Sequence, residues 1–349
     1  QSIEQQSKAK NVIVLIGDGM GFGQVSAAML NSKSASNFER FPVSGIVKCS
    51  PAIKKVTDSA AGATAISCGK KTYNGAIGVD TNKMQLESIF ERLSPQGVKL
   101  GIVATSSITH ATPAAFYAHV DSRNKHEKIA EQLTSSALSF FAGGGLKYFQ
   151  NREDEQDLLM KLKQLDFYID TQKLNPPLDG FAKSGYLLAE DGLPSKLNGR
   201  EDFLSKATEM AIDLLSQNPK GFYLMSEGSQ IDWEGHGLNS EGIVAEMKDF
   251  DDMIGLVLDF AEKDGETLVI VTADHETGGY ILTPKDVDGK WDYASLEGRF
   301  FEGASAHGSA PHTASLVPIF AYGPGAEKFT GVFHLADIYE KILQASSWE

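Results

Sequence analysis

Apolar residues along the chain gather in short, β-branched runs separated by longer stretches in which they return every three or four positions. The runs at 12–16, 100–104, 222–226, 268–273 and 317–322 are strand-sized and lack the polar alternation of a half-exposed strand. They read as strands covered on both faces, as in a mostly parallel sheet whose crossovers pass through helices. Helices are expected over 58–67, 86–93, 125–139, 154–165, 201–217, 241–263 and 335–345. This alternation predicts an α/β fold: a three-layer sandwich with a central, mostly parallel sheet and helices on both faces.

Two stretches interrupt the pattern. Residues 175–200, with Pro176, Pro177, Pro194 and several glycines, read as a loop or small insertion. Within 278–311, the segments 280–283 and 291–293 flank Asp288-Gly289, a dipeptide suited to a hairpin turn. Both are expected to be excursions from one domain spanning 1–349, and no repeat of about 20–50 residues is present.

Bulk composition narrows the partners. At 42% hydrophobic and 22% charged, usage is that of an ordinary globular protein. The 32 Lys+Arg against 46 Asp+Glu leave a formal charge of -14, which argues against nucleic acid or an acidic membrane surface as partner. An anionic substrate then needs a locally positive site. No apolar run approaches the roughly 20 residues that span a bilayer, so no membrane partner is expected. The polar stretch 1–10 is not a signal peptide, and a processed chain compatible with export is expected. Cys49 and Cys68 allow a single bridge at most; Cys68 lies in a small-residue run that reads as a packed helix, and both are expected unpaired.

In open α/β sheets ligands bind beyond the carboxyl ends of the strands, so the residues following each apolar run are the candidates. Asp18 follows the first, Glu227 the third, and Asp274 with His275 the fourth, while the loop after 104 carries His110 and Thr112. One carboxylate at a strand end is unremarkable; its recurrence over separate strands points to a shared site. The glycines of 17–23 offer no G-x-G-x-x-G register and no P-loop lysine, and they read instead as room for Asp18 to approach something bulky or charged. Asp232 and His236 are four residues apart, on one face if helical, a pair suited to Zn²⁺; the alternative, a solvated helix start with a stray His, is weakened by Gly235 and Gly237 beside His236. His312 precedes the last apolar run in a loop. Asp58-Ser59 followed by small residues marks a helix N-terminus, where either Asp58 and Ser59 merely cap the helix or Ser59 is a nucleophile facing a bound anion. No G-x-S-x-G elbow surrounds it, so a serine nucleophile here needs a metal to lower its pKa.

Taken together these residues resemble the alkaline phosphatase family. The stretches Ile16-Gly17-Asp18-Gly19-Met20-Gly21, Thr57-Asp58-Ser59-Ala60-Ala61-Gly62-Ala63-Thr64 and Lys71-Thr72-Tyr73-Asn74-Gly75 match its signatures in order. So do Ala111-Thr112-Pro113-Ala114, Ala118-His119-Val120-Asp121-Ser122-Arg123, Glu227-Gly228-Ser229-Gln230-Ile231-Asp232, Thr272-Ala273-Asp274-His275 and His312-Thr313.

The resemblance implies a metal-dependent phosphomonoesterase with Ser59 phosphorylated and Arg123 clamping two phosphate oxygens. It implies two Zn²⁺, one on Asp232, His236 and His312 and one on Asp18, Asp274 and His275, with a Mg²⁺ on Asp18, Thr112 and Glu227. It further implies phosphate monoesters as substrates, an exported protein, periplasmic or extracellular, and a homodimer. His110 and Trp233 stand where the enterobacterial form has Asp and Lys, so both are expected near the substrate, with weaker phosphate binding and faster release. Sulfatases of the same superfamily need an x-Pro-x-Arg sequence after the nucleophile, absent after Ser59. The reading from another class, a phosphate- or metal-binding protein without turnover, is separated by a phosphatase assay with and without chelator.

Overall fold

The computed structural model describes residues 8–31, 34–177, 180–304 and 309–348. Its strands are β1 (Asn11–Gly17), β2 (Val43–Lys48), β3 (Lys99–Ser107), β4 (Phe140–Gly144), β5 (Phe167–Asp170), β6 (Lys183–Leu187) and β7 (Phe222–Gly228). They continue with β8 (Thr267–Thr272), β9 (Glu276–Thr277), β10 (Ile281–Val287), β11 (Lys290–Arg299), β12 (His312–Thr313), β13 (Val317–Tyr322) and β14 (Gly331–His334). The helices are α1 (Phe22–Asn31), α2 (Ser59–Cys68), α3 (Ile89–Leu93), α4 (Ala111–Ala114) and α5 (His126–Leu133). The rest are α6 (Leu158–Gln164), α7 (Phe203–Leu215), α8 (Gln230–His236), α9 (Ser240–Asp264) and α10 (Asp337–Ala345).

Ten strands form one sheet in the order β14-β2-β13-β8-β1-β7-β3-β4-β6-β5. From β8 to β5 every pairing is parallel, and only β13 runs against its neighbours β2 and β8. Alternate residues of β7 show both faces covered. Phe222 packs on Phe260 and Ser226 bonds to Thr208 and Met253, on α7 and α9. Tyr223 points the other way, onto Phe90 of α3 and Phe116. The expected three-layer α/β architecture is therefore present, and β1 and β7 are buried at every residue.

The five apolar runs became β1, β3, β7, β8 and β13, but the loop expected over 175–200 contributes β6, an interior strand of the main sheet. The helix expected over 125–139 stops at Leu133 because the hydroxyls of Thr134, Ser135 and Ser136 bond back to the carbonyls of Glu131, Gln132 and Leu133. The one expected over 154–165 starts at Leu158, where the Asp157 side chain caps the Met160 amide. The hairpin turns at Asp288-Gly289, both at positive φ (51 and 75°), and its arms extend over 281–287 and 290–299. Cys49 and Cys68 are both free and buried.

Candidate metal centre

Parallel strands put their carboxyl ends on one edge of the sheet, and the candidate residues converge there. Ile16 is level with Glu227 on one side and Thr272 on the other, so Asp18, Glu227 and Asp274 emerge side by side. Gly19 makes the turn after Asp18 with φ +71°, and a Cβ there would come within 2.9 Å of Asp232. The Gly19 amide donates to Asp274 Oδ1 at 3.2 Å. The segment after Ser229 is helical, so α8 stacks Asp232 and His236 one turn apart. His312 lies in the short strand β12 rather than in a loop, paired with β9 and opposite Thr277.

Two groups of ligand-type atoms result among the described residues: Asp232, His236 and His312 in one, Asp18, Asp274 and His275 in the other, with ligand atoms in each within 4.8 Å of one another. In the first, His236 Nε2 is 3.3 Å from Asp232 Oδ2, and His312 Nε2 is 3.5 Å from Asp232 Oδ1. In the second, His275 Nε2 is 3.1 Å from Asp274 Oδ2 and 3.5 Å from Asp18 Oδ1. The groups touch, since the His275 and His312 rings stack at 3.6 Å between centroids.

Ser59, the first residue of α2, is buried, with its Oγ 3.2 Å from His275 Nε2 and 3.5 Å from Asp18 Oδ1. Asp58 before it accepts from the Ala61 amide at 3.0 Å and, with its other oxygen, from Arg123 Nη1 at 3.1 Å. Sequence reasoning saw only a cap in Asp58; its place beside the nucleophile candidate was the available signal. Arg123 Nη2 donates to His110 Nε2 at 3.4 Å, and His110 meets Trp233 edge to face at 5.8 Å.

The electrostatics call for positive charge. Burial, then Asp274, Asp232 and Glu227, raise the Asp18 carboxyl well above its usual range. Burial lifts Glu227 to about 7 although Ser229 Oγ donates to it at 2.7 Å. Burial alone would raise Asp232, but the His236 bond and the charges of His275, His236 and His312 hold it low. Burial, then Arg123, pushes His110 down to about 3, so it is neutral. Asp18 Oδ2, Thr112 Oγ1 and Glu227 Oε1 are buried oxygens that no hydrogen bond of good geometry satisfies, although the Thr112 hydroxyl lies near enough to Glu227 to favour its charged form. Three orphaned oxygens among crowded carboxylates fit a hard divalent cation, and the mixed imidazole and carboxylate groups fit zinc.

Comparison with known proteins agrees with this chemistry. The alkaline phosphatase family profile matches residues 9–299. Alkaline phosphatase 4 of Bacillus subtilis (strain 168) is 36% identical over an alignment covering 98% of this chain and 91% of that protein. The alkaline phosphatase of Escherichia coli (strain K12) is 33% identical, over 97% and 86%. Among solved structures, the alkaline phosphatase from the Antarctic bacterium TAB5 superposes with a TM-score of 0.95 at 46% identity, covering 99% of this chain and 100% of that one. A His-to-Glu variant of that enzyme, described with Mg bound, gives a TM-score of 0.94.

Proposed function

Because the chain belongs to the alkaline phosphatase family, we propose that this phosphatase hydrolyses phosphate monoesters in two steps through a phosphoserine at Ser59, with two Zn²⁺ and one Mg²⁺ as cofactors. The observation that carries the reading is the position of Ser59 Oγ, 3.2 Å from His275 and 3.5 Å from Asp18, at the edge of two touching ligand groups. One zinc would be held by Asp232, His236 and His312, the other by Asp18, Asp274 and His275, and magnesium by Asp18, Thr112 and Glu227. Bound cations would lower the pKa of hydroxyl groups and neutralise charge on the transferring phosphoryl oxygens.

The protein's own residues do the rest. Ser59 Oγ bonds to phosphorus as the ester oxygen leaves with the alcohol, and water then displaces Ser59 to release inorganic phosphate. Two inversions give net retention at phosphorus. Arg123, held at 3.1 Å by Asp58, presents its planar fork to two phosphate oxygens. Neutral His110 and Trp233 line the approach without adding charge. Export to the periplasm or exterior and assembly as a homodimer belong to the same proposal, supported only by the likeness to the family, and fractionation and sedimentation test them. No helix among the described residues is long and apolar enough to cross a membrane.

The test is p-nitrophenyl phosphate turnover before and after chelation, with Ser59→Ala beside the wild type. Ser59→Ala is expected to lose roughly 10³-fold or more in kcat while keeping the wild-type metal content by elemental analysis. Turnover near wild type in that variant would remove Ser59 from the role.

A further inference from the structure

We propose that Glu276, which ligates nothing in the scheme above, is a positioning residue that fixes the spacing of the two histidine-containing ligand groups; the proposal rests on the metal-dependent reading of the preceding subsection. Glu276 is buried, between His275 and Thr277. Its Oε1 accepts from Gln24 Nε2 at 3.3 Å and the Tyr280 amide at 3.0 Å, and its Oε2 from the Gly279 amide at 3.2 Å and from Thr313 Oγ1. Four donors converge on two oxygens, so both act only as acceptors, a role that a carboxylate fills and an amide does not.

Each bond leads to a ligand-bearing segment. Gln24 takes the Gly21 amide on its Oε1 at 3.0 Å and gives its Nε2 also to the Thr277 carbonyl at 3.0 Å, which pins the glycine turn that carries Asp18. Gly21 lies so close that a Cβ there would overlap the Glu276 side chain. Thr313 directly follows His312, and its pairing with Glu276 in the β12–β9 ladder sets His312 opposite Thr277. The Gly279 and Tyr280 amides tie down the base of the β10–β11 hairpin. One carboxylate therefore joins the backbone beneath Asp18, His275 and His312, reaching the first and last through Gln24 and Thr313, 252 and 37 residues away in sequence. A shift in any of them changes the 3.5 Å Asp18–His275 spacing or the 3.6 Å His275–His312 stack.

The experiment titrates chelator-stripped full-length protein with Co²⁺ and Zn²⁺, reading affinity by calorimetry and ligand geometry from the visible Co²⁺ spectrum. Glu276→Gln keeps the volume but sets N–H groups against N–H donors. Because Glu276 acts through the backbone rather than on a ligand, the variant is expected to bind about 10-fold more weakly, the low end of the cost of losing a group bonded directly to a ligand, and to show an altered Co²⁺ spectrum, with kcat still reduced at saturating metal. Thr313→Val removes a single donor and is expected to give a smaller change in the same direction. A Glu276→Gln protein with wild-type Co²⁺ affinity and spectrum, whatever its melting temperature, overturns the proposal. If Glu276→Gln does not fold, wild-type metal binding by Thr313→Val overturns it equally. A wild-type protein that binds no divalent cation fells the metal-dependent reading instead, and the proposal with it.

Discussion

His236 and His312 turn their Nε2 atoms toward each other across 3.0 Å, while each Nδ1 faces a backbone carbonyl, Ala310 O in one case and Thr57 O at 3.0 Å in the other. A ring nitrogen facing a carbonyl carries the proton, so the opposed Nε2 atoms present two lone pairs. With Asp232 beside them, only a proton or a cation relieves the repulsion. Divalent cations should therefore stabilise the fold as well as support turnover. A cation at ~1,000-fold excess over its Kd contributes about 4 kcal/mol, which for a chain this long is a Tm rise of roughly 5–10 °C. Scanning calorimetry with chelator, then with restored Zn²⁺, checks this; an unchanged Tm would mean that protons already satisfy the site.

Asp58 performs two tasks that substitutions can separate. Its Oδ1 caps α2 and its Oδ2 holds Arg123. Asp58→Asn keeps a good cap but gives up the charge that orients the guanidinium. Phosphate should then bind several-fold more weakly as a product inhibitor, with little change in Tm and no large fall in kcat. Asp58→Ala loses the cap too and should be less stable by about 1 kcal/mol. Steady-state kinetics with added phosphate, beside urea unfolding of both variants, measures the two effects separately.

The strands legible in the sequence were those with long apolar runs, and burial alone did not suffice, since β4 is buried at every residue yet was missed. β4 (FFAGG) and β6 (KSGYL) carry glycines that close packing requires, and β2 (VSGIVK) and β14 (GVFH) lie at or beside the sheet edge, half in solvent. Ligand candidates stood out because carboxylates recur directly after several buried strands, a coincidence that one alone would not have signalled. Glu276 did not, since it follows His275 and its meaning lies in partners such as Gln24, 252 residues away. Likewise the β9–β12 pairing that delivers His312 is two residues long, below what periodicity can register.

The segment after Pro194 is fastened to α9 by a buried ionic network. Arg200 bonds to Glu246 and, at 2.9 Å, to Asp249, and Lys196 reaches Asp249 at 2.6 Å. Arg200→Met leaves two carboxylates, each with a side chain 2% exposed, served by one lysine. A loss of about 3–5 kcal/mol is expected, as for other broken buried pairs. Burial already raises Glu246 above its usual range despite Arg200, and without the arginine it should rise further. A carboxyl raised in the folded state is stabilising when protonated and costs stability as pH climbs past its unfolded value. The deficit of Arg200→Met should therefore shrink from about pH 8 to pH 5. Urea unfolding at both pH values tests this, and a deficit that grows on acidification would contradict it.

If Trp233 stands beside the bound phosphate, as proposed, it should set how tightly product is held. Its ring packs on His110, which burial and Arg123 keep neutral, and on Gly192, where a Cβ would come within 2.8 Å of Cζ3. Neither aromatic residue carries positive charge, so in the proposed reading Arg123 would meet the phosphate oxygens without help from them. Trp233→Lys places an ammonium group on α8 one residue from Asp232. At an effective dielectric of about 20, discounted for solvent, one such charge is worth on the order of 1 kcal/mol, so the inhibition constant for phosphate should fall about fivefold. Where product release limits turnover, kcat should fall with it, and a release step that slows without weaker substrate capture separates this from simple damage. An unchanged inhibition constant would mean that the new ammonium group pairs with Asp232 or solvent, and that the indole at this position does not govern release.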